Sequence, residues 1–99
     1  MAGFDAGNVD ETIHGRLRLG IMAYLTSVSP APFTELAHVL EATNGNLSVH
    51  LRKLEEAGYV TTEKGFESRR PLTLVHLTDK GREAWASYLE ALKPLFPDL

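Results

Sequence analysis

The stretch Thr43–Val60 reads TNGNLSVHLRKLEEAGYV. Thr43 is suited to cap a helix, and Gly58 is suited to stop one. Between them Leu47, Leu51 and Leu54 recur at three- and four-residue steps, and Ala57 finishes the stripe. That spacing predicts an amphipathic helix over 44–57 with its leucines inward. At ~100° per residue, Asn46, Ser48, Val49, Arg52 and Lys53 then lie on or beside the opposite face. Such a face suits two environments. One is plain solvent, where Lys and Arg usually sit. The other is a DNA major groove, which is about as wide as a helix. Val49 beside Ser48 and Asn46 is an odd choice for solubility alone, and this favours the groove.

On the N-terminal side, Val9, Ile13, Leu17, Gly20, Ile21, Tyr24, Leu25 and Val28 keep helical steps. They predict a helix over about 9–27, capped by Asn8, with Asp10 and Glu11 in its first turn. Residues 1–8 are Gly-, Ala- and Asn-rich and are expected to be frayed and disordered. "SPAP" at 29–32 breaks the helix. Phe33 suits a short extended piece, and Thr34 then caps a helix over about 35–42 with Leu36, Ala37, Val39 and Leu40 inward. Beyond Gly58 the period changes. Residues 59–64 and 72–77 are β-rich, and "GFESRRP" at 65–71 lies between them as a turn-rich, basic tip. Thr78 caps a last helix over about 79–93, stopped by Pro94, with 94–99 as a tail. Gly81, early in this helix, costs about 1 kcal/mol against Ala and so implies close packing. The order is helix, short strand, helix, helix, hairpin, helix: an α+β, mostly α, winged helix-turn-helix spanning 9–93.

The chain-wide properties fit one small domain. Its 99 residues suit a single domain, and 43% hydrophobic with 23% charged residues is an ordinary globular balance. The chain has no cysteine, which rules out disulfides and thiolate metal sites. It shows no membrane-length apolar run and no secretory signal, so a cytoplasmic location is the expectation. The net charge of −3 is low for a nucleic-acid binder. Its distribution is uneven, however: seven of the ten Lys and Arg residues lie between His50 and Arg82.

The segment NLSVHLRKLEEAGYVTTEKGFESRRPLTLVHLTDKGREAW resembles the winged-helix transcriptional regulators of the MarR-like superfamily. It is most similar to their compact members, with "LSxHLxKLExAGYV" followed by "RRPxTxxxLTxxGR". The pairing of "LxKLExAGYV" with "LTxxGR" is specific, whereas "HLxxLExxG" alone also occurs in ArsR-like regulators. The resemblance runs over about residues 12–92 and implies a dimeric DNA-binding repressor or activator. It implies that the second helix of the pair enters the major groove and that the wing reaches the adjacent minor groove or backbone. The first and last helices would form the dimer. Carried over, Asn46, Ser48, Val49, Arg52 and Lys53 fall on the recognition face, and Arg69 and Arg70 on the wing. The chain lacks the long extra helices of the larger members, and with them most of the cleft in which those proteins bind small phenolic ligands.

The side chains themselves suit the task. Arg52 matches guanine O6 and N7, Asn46 matches adenine, Val49 a thymine methyl, and Ser48 a base or a phosphate. Lys53, the first-turn amides around Asn44, Lys64 and the wing arginines Arg69 and Arg70 are candidate phosphate contacts. Arg69 and Arg70 also suit a narrow minor groove. Glu67 is expected to pair with an arginine, and Phe66 to anchor the base of the wing. His14, His38, His50 and His76 fall on four different elements without metal-ligand spacing, and His50 is expected at the core edge. No nucleophile motif and no phosphate-cradling loop appears, so neither an enzyme nor a cofactor is expected. The last helix carries Trp85, Tyr88, Leu89 and Leu92, with Phe96 just after it, and the first carries Val9, Ile13 and Leu17. Both stripes exceed what one small core absorbs, which predicts a homodimer on a near-palindromic operator. Trp85, Tyr88 and Phe96 would also suit a ligand pocket at that interface, although packing explains them more simply. The alternative is a winged-helix protein–protein interaction module without DNA binding.

Overall fold

The computed structural model describes residues 3–98. In chain order the elements are α1 (Arg16–Ser27), β1 (Ala31–Pro32), α2 (Phe33–Val39), α3 (Asn44–Glu56), β2 (Val60–Glu67), β3 (Arg70–Leu77) and α4 (Asp79–Leu92). Short 3-10 turns cover Ala6–Asn8 and Lys93–Leu95. The strands form one antiparallel sheet in the order β1-β3-β2. Helices α1, α2 and α3 close over its base, around Ile21, Leu25, Leu36, Leu47, Leu54 and Val75. This is a winged helix.

Helix α3 forms where its capping residues predict. The Thr43 side chain accepts from the Asn46 amide at 3.1 Å. At the other end Gly58 takes a left-handed φ of 81°. Its N–H reaches the Glu55 carbonyl and that of Tyr59 reaches Leu54, both at 2.9 Å. This is a Schellman stop, and it turns the chain directly into β2. Helix α4 is capped by Thr78, whose hydroxyl accepts from the Gly81 amide at 2.9 Å and donates to the Gly58 carbonyl at 2.7 Å. A Cβ on Gly81 would overlap the Tyr59 carbonyl oxygen, which explains a glycine inside a helix.

The first helix is shorter than its periodicity suggests: it begins at Arg16, not at Val9. The Asp10 carbonyl accepts from Ile13 and His14, and the Asp10 carboxylate accepts from the Thr12 amide at 2.9 Å, so the chain closes into a turn. The same carboxylate accepts from the Tyr59 phenol at 2.6 Å. Asn8 caps nothing; Asp5 caps the turn at Ala6–Asn8 instead. Residues 1 and 2, part of the segment expected to be frayed, lie outside the described residues, as does residue 99 of the tail. Helix α2 starts at Phe33 with Pro32 at its cap, so Thr34 stands within its first turn and does not cap it. Val39, expected inward, is the last residue of α2 and faces solvent, since the helix buries Leu36 on its other side.

Candidate nucleic-acid interface

All nine side chains expected on a DNA face are exposed: Asn44, Asn46, Ser48, Val49, Arg52, Lys53, Lys64, Arg69 and Arg70. Leu47, Leu51 and Leu54 bury the opposite side of α3, and that burial fixes the helix's rotation about its own axis. Ser48 and Arg52 border a groove shared with Thr62 and Lys64 of β2, Thr73 of β3 and Phe33. Glu55 stands in the same groove, and its Oε2 accepts from the Thr62 hydroxyl at 3.2 Å. On the other side of α3, His50 is half-buried and its Nδ1 lies 3.1 Å from Nη1 of Arg18. Because the guanidinium donates, Nδ1 accepts and the ring is neutral. Burial holds its pKa below 6.5, and the charges of Arg18 and Lys53 add to the effect. The remaining donors of Arg18 bind the Thr12 carbonyl at 2.7 Å and the Glu11 carbonyl at 3.4 Å. This one side chain therefore ties the N-terminal turn to the candidate reading helix.

The wing is longer than its sequence suggests. Strands β2 and β3 stay paired from Val60↔Leu77 out to Glu67↔Arg70, and the tip is only Ser68 and Arg69. Both tip residues hold positive φ, 50° and 69°, the left-handed pair of a tight two-residue hairpin. Directly opposed residues share a face. Val60, Thr62, Lys64 and Phe66 therefore lie with Leu77, Val75, Thr73 and Pro71 on the side towards α3. Glu63 and Glu67 lie on the far side, with Leu74 and Arg70. Glu67 stands across from Arg70, but the two are not within ion-pair distance; among the described residues Lys93 pairs with Glu90 at 3.2 Å, and the His76 ring lies within hydrogen-bond distance of Glu63 at 3.3 Å. Phe66 does not anchor the base of the wing. It is 78% exposed, because the hairpin at that level has projected beyond the core.

The residues expected at a dimer interface divide. Ile13, Leu17 and Tyr88 are buried within the single chain and offer almost no surface to a partner. Tyr88 is held by His14 Nδ1 at 2.8 Å and stacks on Trp85 with ring centroids 5.7 Å apart. Ile13, in the turn at residues 10–14, and Leu17, on the inward face of α1 with Ile21, join the core of the single chain. Val9, Trp85 and Leu92 are half-buried, while Leu89 and Phe96 are 48% and 49% exposed. The links Arg18–His50, Tyr59–Asp10 and His14–Tyr88 carried no local sequence signal, since their partners stand 32, 49 and 74 residues apart. The Asp10 bond, with burial, pushes the Tyr59 phenol up to about 12 and keeps it a donor.

Among known proteins, an uncharacterised protein of Methanocaldococcus jannaschii is 40% identical over 73 residues, covering 74% of this chain and 79% of its own. A solved transcriptional regulator homologue from Pyrococcus horikoshii OT3 is 39% identical, with a TM-score of 0.82 and 91% of each chain covered. A MarR-family regulator from Enterococcus faecalis V583 is 28% identical, with a TM-score of 0.71, covering 85% of this chain and 74% of that one. The transcriptional repressor CouR, solved bound to a 23-mer DNA duplex, is 25% identical, with a TM-score of 0.71, covering 82% of this chain and 56% of that one. A family model, the winged helix DNA-binding domain, matches residues 17–96. The chain therefore belongs to the winged helix DNA-binding domain family, and its fold is that of MarR-like transcriptional regulators.

Proposed function

We propose that this chain is a sequence-specific DNA-binding transcriptional regulator acting as a homodimer in the cytoplasm. Helix α3 lies in the major groove, and the wing, residues 65–71, lies on the minor groove or the backbone. The observation that carries this reading is the joint exposure, around one groove, of Ser48 and Arg52 from α3 and Lys64 from the wing. Base-edge donors and phosphate-seeking cations thus share one side of the molecule. The DNA-bound CouR structure supports a duplex as the partner for this fold. Arg52 reads a guanine, and Asn46, Ser48 and Val49 read its neighbours. Lys53, Lys64 and Arg69 hold phosphates, with the first-turn amides near Asn44, whereas Arg70, expected to join them, stands with Glu67 on the opposite face of the hairpin. The second protomer doubles the contact and sets the recognition helices about 34–36 Å apart on successive major grooves.

The test is a titration of labelled duplex DNA with wild type and with Arg52→Ala, at 50 and 200 mM salt. The expected result is tight wild-type binding that weakens with salt, and a variant that loses roughly 1–3 kcal/mol on preferred duplexes but keeps its weak general binding. Equal binding by both proteins would contradict the placement of α3. Absence of wild-type binding would favour a protein-interaction module with the same fold.

A further inference from the structure

We propose that Phe66, with Pro71 opposite it, is a non-ionic minor-groove contact of the wing that disfavours guanine where it touches DNA. This inference rests on the DNA-binding reading and adds to it a contact that its cationic chemistry does not supply. Phe66 is the most exposed large apolar side chain among the described residues, at 78%. Nothing in the core needs it. The hairpin register places it directly across from Pro71, two residues beyond the Lys64↔Thr73 pair. Lys64 and Thr73 border the groove beside Ser48 and Arg52, so the ring continues that same surface outward.

The charges of the wing favour a polyanion on this side. The register puts Glu63 and Glu67 on the opposite face from Phe66 and Lys64, Glu67 bordering a concavity with Pro71 and Arg70, and the carboxylate nearest Lys64 in the adjoining groove, Glu55 of α3, accepts from the Thr62 hydroxyl. The cation Arg69 stands at the tip beyond. A ring flanked in this way meets duplex DNA beyond the phosphate strand that separates the two grooves. There the walls are apolar sugar faces. The floor is flat at A·T pairs and raised by the guanine N2 amino group at G·C pairs. An apolar side chain is tolerated against the first floor and leaves the amino group of the second without a partner.

The test compares wild type, Phe66→Ala, Phe66→Leu and Lys64→Ala on one duplex that wild type binds well, with folding checked by thermal melting. Phe66→Ala is expected to lose roughly tenfold or more in affinity with an unchanged salt slope, because no counterion release is lost. Phe66→Leu keeps part of that affinity. Lys64→Ala lowers the salt slope by about 1. Replacing G·C by inosine·C under the wing removes only the amino group, and it should tighten wild type but not Phe66→Ala. If Phe66→Ala binds like wild type while Lys64→Ala weakens, the inference is wrong and the DNA reading stands. A Phe66→Ala variant that changes oligomeric state and leaves DNA affinity intact would assign the ring to a protein contact instead. No binding by wild type would overturn both.

Discussion

Gly45 sits in the first turn of α3, and nothing in the chain lies within 4 Å of where its Cβ would stand. It has no positive φ and no packing partner, unlike Gly58 and Gly81, so the fold does not require it. On the helix surface it lies in line with Val49 and Arg52, where a missing side chain lets the backbone approach a ligand closely. Gly45→Ala is expected to stabilise the chain by about 0.5–1 kcal/mol, seen as a higher melting temperature, and to weaken duplex binding. A stabilised variant with undiminished binding would remove Gly45 from the interface. At this scale the sequence was informative where one residue's environment follows from its own helix. The leucine stripe of α3 settles which residues face out, and all of them do. Phe66 was not legible in this way. Whether a strand residue is covered depends on how far the hairpin outruns the core, and no local pattern states that.

At the scale of elements, the wing tip and the α1–α3 junction are the informative cases. Ser68 and Arg69 occupy left-handed conformations that glycine or asparagine would hold more easily. Arg69→Gly is expected to relieve strain of about 1–2 kcal/mol, raising the melting temperature, while reducing the salt slope of DNA binding by about 1. A tip chosen for folding alone would show the first effect without the second. The junction responds to acid. The pKa of His50 in the folded chain is lowered from 6.5, with burial the main cause, so above that pH the ring is neutral in both states. As pH falls through 6.5 the unfolded chain takes up its proton first, and stability declines. His50→Gln should flatten this acid limb in melts between about pH 7.5 and 5. An unchanged limb would mean that other groups carry it. The helix caps at Thr43 and Thr78 were legible because each is a local hydrogen bond. The start of α1 was not, because Val9 and Ile13 keep a helical step while Asp10 spends its carboxylate on Thr12 and on a tyrosine 49 residues away.

The whole molecule is elongated. Its axes measure 55 × 25 × 23 Å and its radius of gyration is 14.7 Å, against about 13 Å for a compact domain of this length. The projecting wing accounts for part of this shape. On α4 and the turn after it, Leu89 and Phe96 remain half uncovered by the chain itself. We expect them to be covered by a second copy. Leu89→Asp should convert a two-chain species to one chain by light scattering at micromolar concentration, with little change in helical content. A single-chain wild type would contradict the dimer. A dimer would also answer the charge question, since the exposed cations of two chains would act together on one duplex although each chain carries a net charge of −3. The most direct measurement is selection of bound duplexes from a random-sequence DNA pool with the intact protein. An enriched inverted repeat, its half-sites about one helical turn of 10 base pairs apart, is the expected result and joins the reading face of α3 to the two-fold assembly. A pool that stays unenriched, with only weak binding erased by salt, would contradict sequence-specific recognition by this chain.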